Sequence, residues 1–186
     1  MRSMVTAIVF LLFITGCTPE YTIDSIDGFS KKVGVVDYFE ITRWHHYVIA
    51  QNSRLAVVAQ AGPPDESALL AKALSNAFSD YYAGVAVLAD KQGQHGVIES
   101  ARSQGYDFLL RAELLSAEPT QVADHKKQSY KHLKISVTII DINSALVVDK
   151  ILLSSSKARI PFVRGAIDNI VSEPLSVVAK ELSGVQ

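Results

Sequence analysis

A run with no polar residue, Leu55-Ala56-Val57-Val58-Ala59, constrains the fold more than any other feature of this chain. A strand that is apolar at every position has both faces covered, which is the habit of an inner strand in a layered α/β sheet. Gly62-Pro63-Pro64 ends the run, and Asp65 or Ser67 offers a side-chain oxygen to cap a helix. The spacing predicts that helix over 67–82. Leu70, Leu74, Phe78 and Tyr81 recur at three- and four-residue intervals, while Lys72, Ser75, Asn76 and Ser79 face away. Val85-Ala86-Val87-Leu88 gives a second strand, 97–104 a short helix ended by Gly105, and 107–115 a third strand. In that third strand Phe108, Leu110, Ala112 and Leu114 share one face, with Arg111 and Glu113 on the other.

Farther along, Leu133, Ile135, Val137 and Ile139 alternate with Lys134, Ser136 and Thr138. Asn143-Ser144 makes a hairpin turn and Leu146 to Leu153 returns antiparallel. Ser116 to Tyr130 reads as a polar loop between the two halves. A last helix starts at Pro161, with Val163, Ile167, Ile170, Val171, Val178 and Leu182 as its apolar stripe and Pro174 expected to kink or divide it. The fold class is therefore α/β: a single domain whose mixed sheet follows βαβαβ, then an antiparallel hairpin, with packed helices and a C-terminal helix. Upstream, Val33 to Phe39 reads as one short strand, followed by Trp44-His45-His46-Tyr47 without clear boundaries.

The other informative stretch is the N-terminus. Arg2 precedes an apolar segment from Val5 to Ile14, too short to span a bilayer but of the right length for a signal-peptide core. It ends in Ile14-Thr15-Gly16-Cys17, and Cys17 is the only cysteine of the 186 residues. This junction resembles a bacterial lipobox. The resemblance implies cleavage between Gly16 and Cys17, a diacylglyceryl group on the Cys17 thiol and acylation of the new amine. Two or three acyl chains hold firmly where one is marginal. Thr18, where an Asp would signal inner-membrane retention in enterobacterial lipoproteins, implies an outer-membrane anchor facing the periplasm. The expected organisation is a signal peptide at 1–16, a tether at 17–30 and an α/β domain at 31–186. The tether either stands the domain off the membrane or packs on it through Tyr21, Ile23, Ile26 and Phe29.

RLAVVAQ, ALLAKALSNAF, GYDFLLRAEL and ISVTIIDINSALVV together resemble the small α/β domain shared by several envelope lipoproteins and periplasmic factors. The TolB N-terminal domain and the penicillin-binding-protein activator LpoB belong to that group. A closer resemblance is to an uncharacterised family of proteobacterial lipoproteins carrying a domain of unknown function. In the broad group a Gly-x-Asp-hydrophobic strand, here Gly105, Asp107 and Phe108, precedes a strand that ends in an Asp-hydrophobic-x-Ser/Thr-Gly turn. Here that turn is Asp141-Ile142-Asn143-Ser144-Ala145, with Ala in the glycine position. These motifs are structural, and no active site comes with them.

Composition and chemistry narrow the function classes. With 48% apolar residues the chain can build a core, and a formal net charge of −1 gives no basic face for nucleic acid. One cysteine excludes an internal disulfide framework and a multi-cysteine metal site. His45 and His46 are adjacent, so in a strand they diverge, and His125 and His132 flank an unpatterned stretch; no metal site is expected. Gly62-Pro63-Pro64 lacks the Gly-Lys-Ser/Thr of a phosphate loop, and its prolines remove N–H donors. No Gly-x-Ser-x-Gly nucleophile elbow occurs. No catalytic residue and no cofactor is expected.

Two surface features remain as contact candidates. Lys126, Lys127, Lys131 and Lys134 form a basic segment that would suit an acidic partner or lipid phosphates; the plainer expectation is a solvated loop with lysines guarding an edge strand. Trp44 and Tyr47 would suit an aromatic contact, against the plainer expectation of core or sheet-edge packing. The sequence therefore points to a non-enzymatic envelope lipoprotein, a binding or assembly factor, held to the membrane by its N-terminal lipid and contacting an envelope protein or polymer, without nucleic acid. A cell-envelope enzyme such as a cell-wall hydrolase is the alternative.

Overall fold

The computed structural model describes residues 31–36, 39–61, 64–89, 93–120, 129–155 and 167–185. Cys17, the leader and the tether lie outside them, as do Lys126, Lys127, Pro161 and Val163. The described residues form one mixed seven-stranded sheet with three helices. In chain order these are β1 (Lys31–Val36), β2 (Phe39–Arg43), β3 (Arg54–Gln60), α1 (Pro64–Ser79), β4 (Gly84–Val87), α2 (Gly93–Ser103), β5 (Phe108–Thr120), β6 (Ser129–Asp141), β7 (Leu146–Ser155) and α3 (Ile167–Ser183).

Across the sheet the strands run β1-β2-β7-β6-β5-β3-β4. β3 is parallel to both β4 and β5, and every other pairing is antiparallel. Leu55, Ala56, Val57 and Val58 are all buried, as the apolar run requires. Leu55 and Val57 join the larger core, beneath Leu70, Leu74 and Phe78 of α1 and Val171, Leu175 and Leu182 of α3. Ala56 and Val58 join a second, smaller core with Leu109, Ile140 and the Val97, Ile98 and Ala101 face of α2. α1 and α3 thus pack on one face, and α2 covers part of the other.

Several boundaries differ from the sequence reading. The N-terminal region forms two strands, not one, and adds a hairpin that continues the sheet beyond β7. Ser116 to Tyr130 is not simply a loop: β5 runs to Thr120, β6 starts at Ser129, and Ser116 to Thr120 pair with Lys134 to Ser129, while 121–128 lie outside the described residues. A register shift between Glu118 and Pro119 accommodates a residue that cannot donate to the ladder. α1 starts at Pro64, where the missing proline N–H costs nothing, and α2 starts at Gly93. Ser67 does not precede the helix; from its first turn its Oγ accepts a hydrogen bond from Ala61 N, at 2.8 Å. Pro174 is buried within α3 and does not divide it. At Lys134 β6 lies between β5 and β7, so that lysine does not guard an edge strand.

Candidate functional site

Alternation along β2 turns Phe39, Ile41 and Arg43 to the same covered face. The third of these is an arginine, and it is 2% exposed. A buried charge requires a partner, and β7 supplies Asp149, which is fully buried. Arg43 donates to Asp149 Oδ2 through Nε at 3.0 Å and also through Nη2. The other carboxylate oxygen, Oδ1, accepts from His45 N at 3.0 Å and Lys150 N at 2.8 Å. Arg43 Nη2 also donates to the Tyr47 carbonyl at 2.8 Å. Both ends of the pair therefore hold the backbone that follows β2.

That backbone is a loop, so His45 and His46 are not on opposite faces of a strand; both are exposed. Trp44 N still donates to Lys150 O at 3.0 Å, and Ile49 N donates to Leu182 O at 2.8 Å, at the end of α3. Between those points the Tyr47 ring leans on Phe108, with centroids 5.8 Å apart. Gly184, with a φ of +68°, lies beside Val48: a side chain there would be strained by the backbone and crowded against Val48 Cγ1. Trp44 is half-buried, with the Lys150 ammonium 6.0 Å from its ring centroid.

The β6–β7 turn lies at the same end of the sheet. Asp141 Oδ1 accepts from Asn143 N at 2.8 Å and Ser144 N at 3.0 Å, which folds the turn. Asp141 pairs in register with Phe108 on one side and with Leu146 on the other. Leu146, Val147, Tyr47, Val48 and Val185 are all exposed there. They are five of the seven large apolar side chains exposed among the described residues; Val87 and Leu115 lie farther along their strands.

Of the contact candidates, Tyr47 belongs to this apolar end, with Trp44 in the same loop. Lys134 is exposed on β6, where it pairs with Ser154 far from the turn. Lys131 belongs to β6 as well, nearer the distant end. Among the described residues, Lys131 and Lys134 are therefore not brought together with Trp44 and Tyr47. Leu146 and Val147 have the sequence pattern of ordinary strand residues, and nothing local marks them as surface. Tyr82 is buried near Arg43, and burial pushes its phenol well above the ordinary tyrosine range, with the Arg43 charge opposing. Among the described residues no group of three or more His, Cys, Asp or Glu is placed to hold a metal ion, and no helix is long and apolar enough to cross a membrane.

Comparison with known proteins adds three findings. Residues 43–182 match a family described as a domain of unknown function, DUF4823. No curated protein matches in sequence. Among solved structures, the fold is similar to a PelC dodecamer subunit from Paraburkholderia phytofirmans, with a TM-score of 0.58 at 15% identity, covering 78% of this chain and 98% of that one. The LpoB C-terminal domain from Salmonella enterica gives 0.41 at 10% identity, over 58% of this chain and 85% of that one. TolB from Acinetobacter baumannii gives 0.37 at 15% identity, over 79% of this chain and 31% of that one.

Proposed function

The chain belongs to the DUF4823 family, and from that premise we propose that it is a non-enzymatic binding or assembly factor of the bacterial envelope, anchored by lipid at Cys17 to the outer membrane and facing the periplasm. The observation that carries the reading is the lone Cys17, placed at the end of the chain's apolar leader after Thr15 and Gly16. The interior supports the non-enzymatic part. The buried carboxylate Asp149 has both oxygens engaged in fixing the loop after β2, which is the work of a scaffold. One solved structure of similar fold, the PelC subunit, belongs to a dodecamer, which supports assembly as part of the role.

Changing Cys17 to Ser and fractionating the cells tests the anchor. The parent chain is expected in the outer-membrane fraction, and the variant should lose processing at that bond. Normal processing and retention of the variant would overturn the reading. Affinity purification of the lipidated chain from its own membrane would then identify what it holds. Lys126, Lys127 and Lys131 changed together to Gln should weaken that recovery without lowering thermal stability, and added salt should do the same.

A further inference from the structure

We propose that the apolar end of the sheet, formed by Tyr47, Val48, Leu146, Val147 and Val185, lies against the surface of the bilayer that carries the anchor. The inference rests on the proposed lipid at Cys17. It goes beyond that reading by assigning an orientation and a second, non-covalent membrane contact.

The path of the chain carries the argument. β2 runs toward the Trp44–Val48 loop, and β1 is antiparallel to it. Lys31, the first residue of β1, pairs with Arg43, the last residue of β2. The chain therefore enters the domain from the side of the sheet where the apolar side chains are exposed. Residues 18–30 separate Lys31 from Cys17, and fully extended they span at most about 45 Å. A domain of this length has a radius of gyration of about 15 Å, so its far end lies nearly that whole span away. Presenting the far end to the bilayer would require the tether to run back along the domain almost fully stretched, at a heavy cost in conformational entropy. Presenting the near end requires no stretching.

The chemistry of that end suits a bilayer interface. Tyrosine and tryptophan favour the headgroup level, where an apolar ring and a polar tip are both accommodated. Tyr47 is 37% exposed, Val48 58% and Leu146 64%, and the backbone on either side of them is held. The Arg43–Asp149 pair fixes the loop, and Asp141 fixes the turn. Such a surface loses little backbone freedom on contact. A small apolar patch alone binds a membrane only marginally, but acyl chains that hold the domain at the surface raise its effective concentration there and keep the patch in contact.

Trp44 reports on this surface, because it is the chain's only tryptophan. The full lipidated chain should be reconstituted into phosphatidylethanolamine/phosphatidylglycerol vesicles whose acyl chains carry bromine near the headgroup. Flotation reads the anchor, and Trp44 fluorescence reads the contact. The expected result is co-flotation with Trp44 emission quenched about twofold or more, since an interfacial surface sinks into the headgroup–acyl boundary. Tyr47→Ser combined with Leu146→Ser should float equally well and lose the quenching. A Trp44→Phe, Val87→Trp chain, which reports on a residue away from this end, should float without quenching. Flotation without quenching of Trp44 would overturn the orientation while leaving the anchor intact. Failure to float would overturn the anchor and this inference with it. Concentration-dependent dimers in detergent that the Tyr47→Ser, Leu146→Ser chain no longer forms would assign the surface to a second copy and overturn the membrane contact.

Discussion

Arg43 and Asp149, 106 residues apart in sequence, form an ion pair that is buried on both sides and closes onto the loop between them in space. Asp149 accepts from the Arg43 side chain and from two backbone N–H groups, and Arg43 returns a bond to the Tyr47 carbonyl. Removing one partner leaves the other charged and dry, which typically costs about 3–5 kcal/mol. Arg43→Met and Asp149→Asn should each lower stability by about that amount in urea denaturation. Replacing both by apolar residues of similar volume should cost less than the sum. Singles that unfold at the parent's urea midpoint would mean the pair is not closed off from water.

Ala145 holds a φ of 57°, a left-handed conformation that costs an L residue about 1 kcal/mol or more. It follows Asp141, Asn143 and Ser144 in the turn, at the position where the resembling domains have glycine. Ala145→Gly should therefore stabilise the protein by about 0.5–1 kcal/mol, raising Tm by about 1–4 °C. A lower Tm in a thermal melt would show that the alanine methyl has a packing role in the turn.

Leu74 sits fully buried between α1 and the sheet, in the larger core. Leu74→Ala should cost about 2–5 kcal/mol, through lost transfer energy and the cavity left behind. A loss below about 0.5 kcal/mol in equilibrium unfolding would mean that α1 does not pack as described.

Tyr82 is buried, stacked on Phe78, and its hydroxyl has no hydrogen-bond partner among the described residues. Burial raises its folded-state pKa above the ordinary value of 10.0. The unfolded chain then loses the phenolic proton before the folded chain does. The stability this group contributes is present below pH 10 and falls as the pH rises beyond it. Tyr82→Phe should be neutral or slightly stabilising at pH 7 and should shift alkaline unfolding to higher pH. An unchanged alkaline midpoint would indicate that the phenol is solvated.

Where one physical rule governed, the sequence was easy to read. The Leu55–Val58 run marked a strand covered on both faces, and the alternation at Leu133–Ile139 marked β6, whose four apolar positions are all buried, although Ser136 between them is buried too. The N-terminal hairpin was misread because β2 places a charged Arg43 at a core position. An arginine there looks like an outward residue until Asp149 is known to be beside it. The polar stretch 116–130 concealed the outer halves of β5 and β6, which pair with each other through backbone bonds that leave no apolar signature. The aromatic half of the candidate surface was visible in Trp44 and Tyr47. Leu146 and Val147 joined it through sheet register with Asp141 and Ile140, a relation between strands that no local pattern encodes.

The central claim is the lipid anchor, and the intact mass of the chain purified from its native membrane tests it most directly. The account predicts a polypeptide beginning at Cys17, heavier than its sequence by a diacylglyceryl group and an amide-linked acyl chain, with all the added mass on the N-terminal peptide. A chain that retains the leader, begins at another residue, or carries an unmodified Cys17 would contradict it.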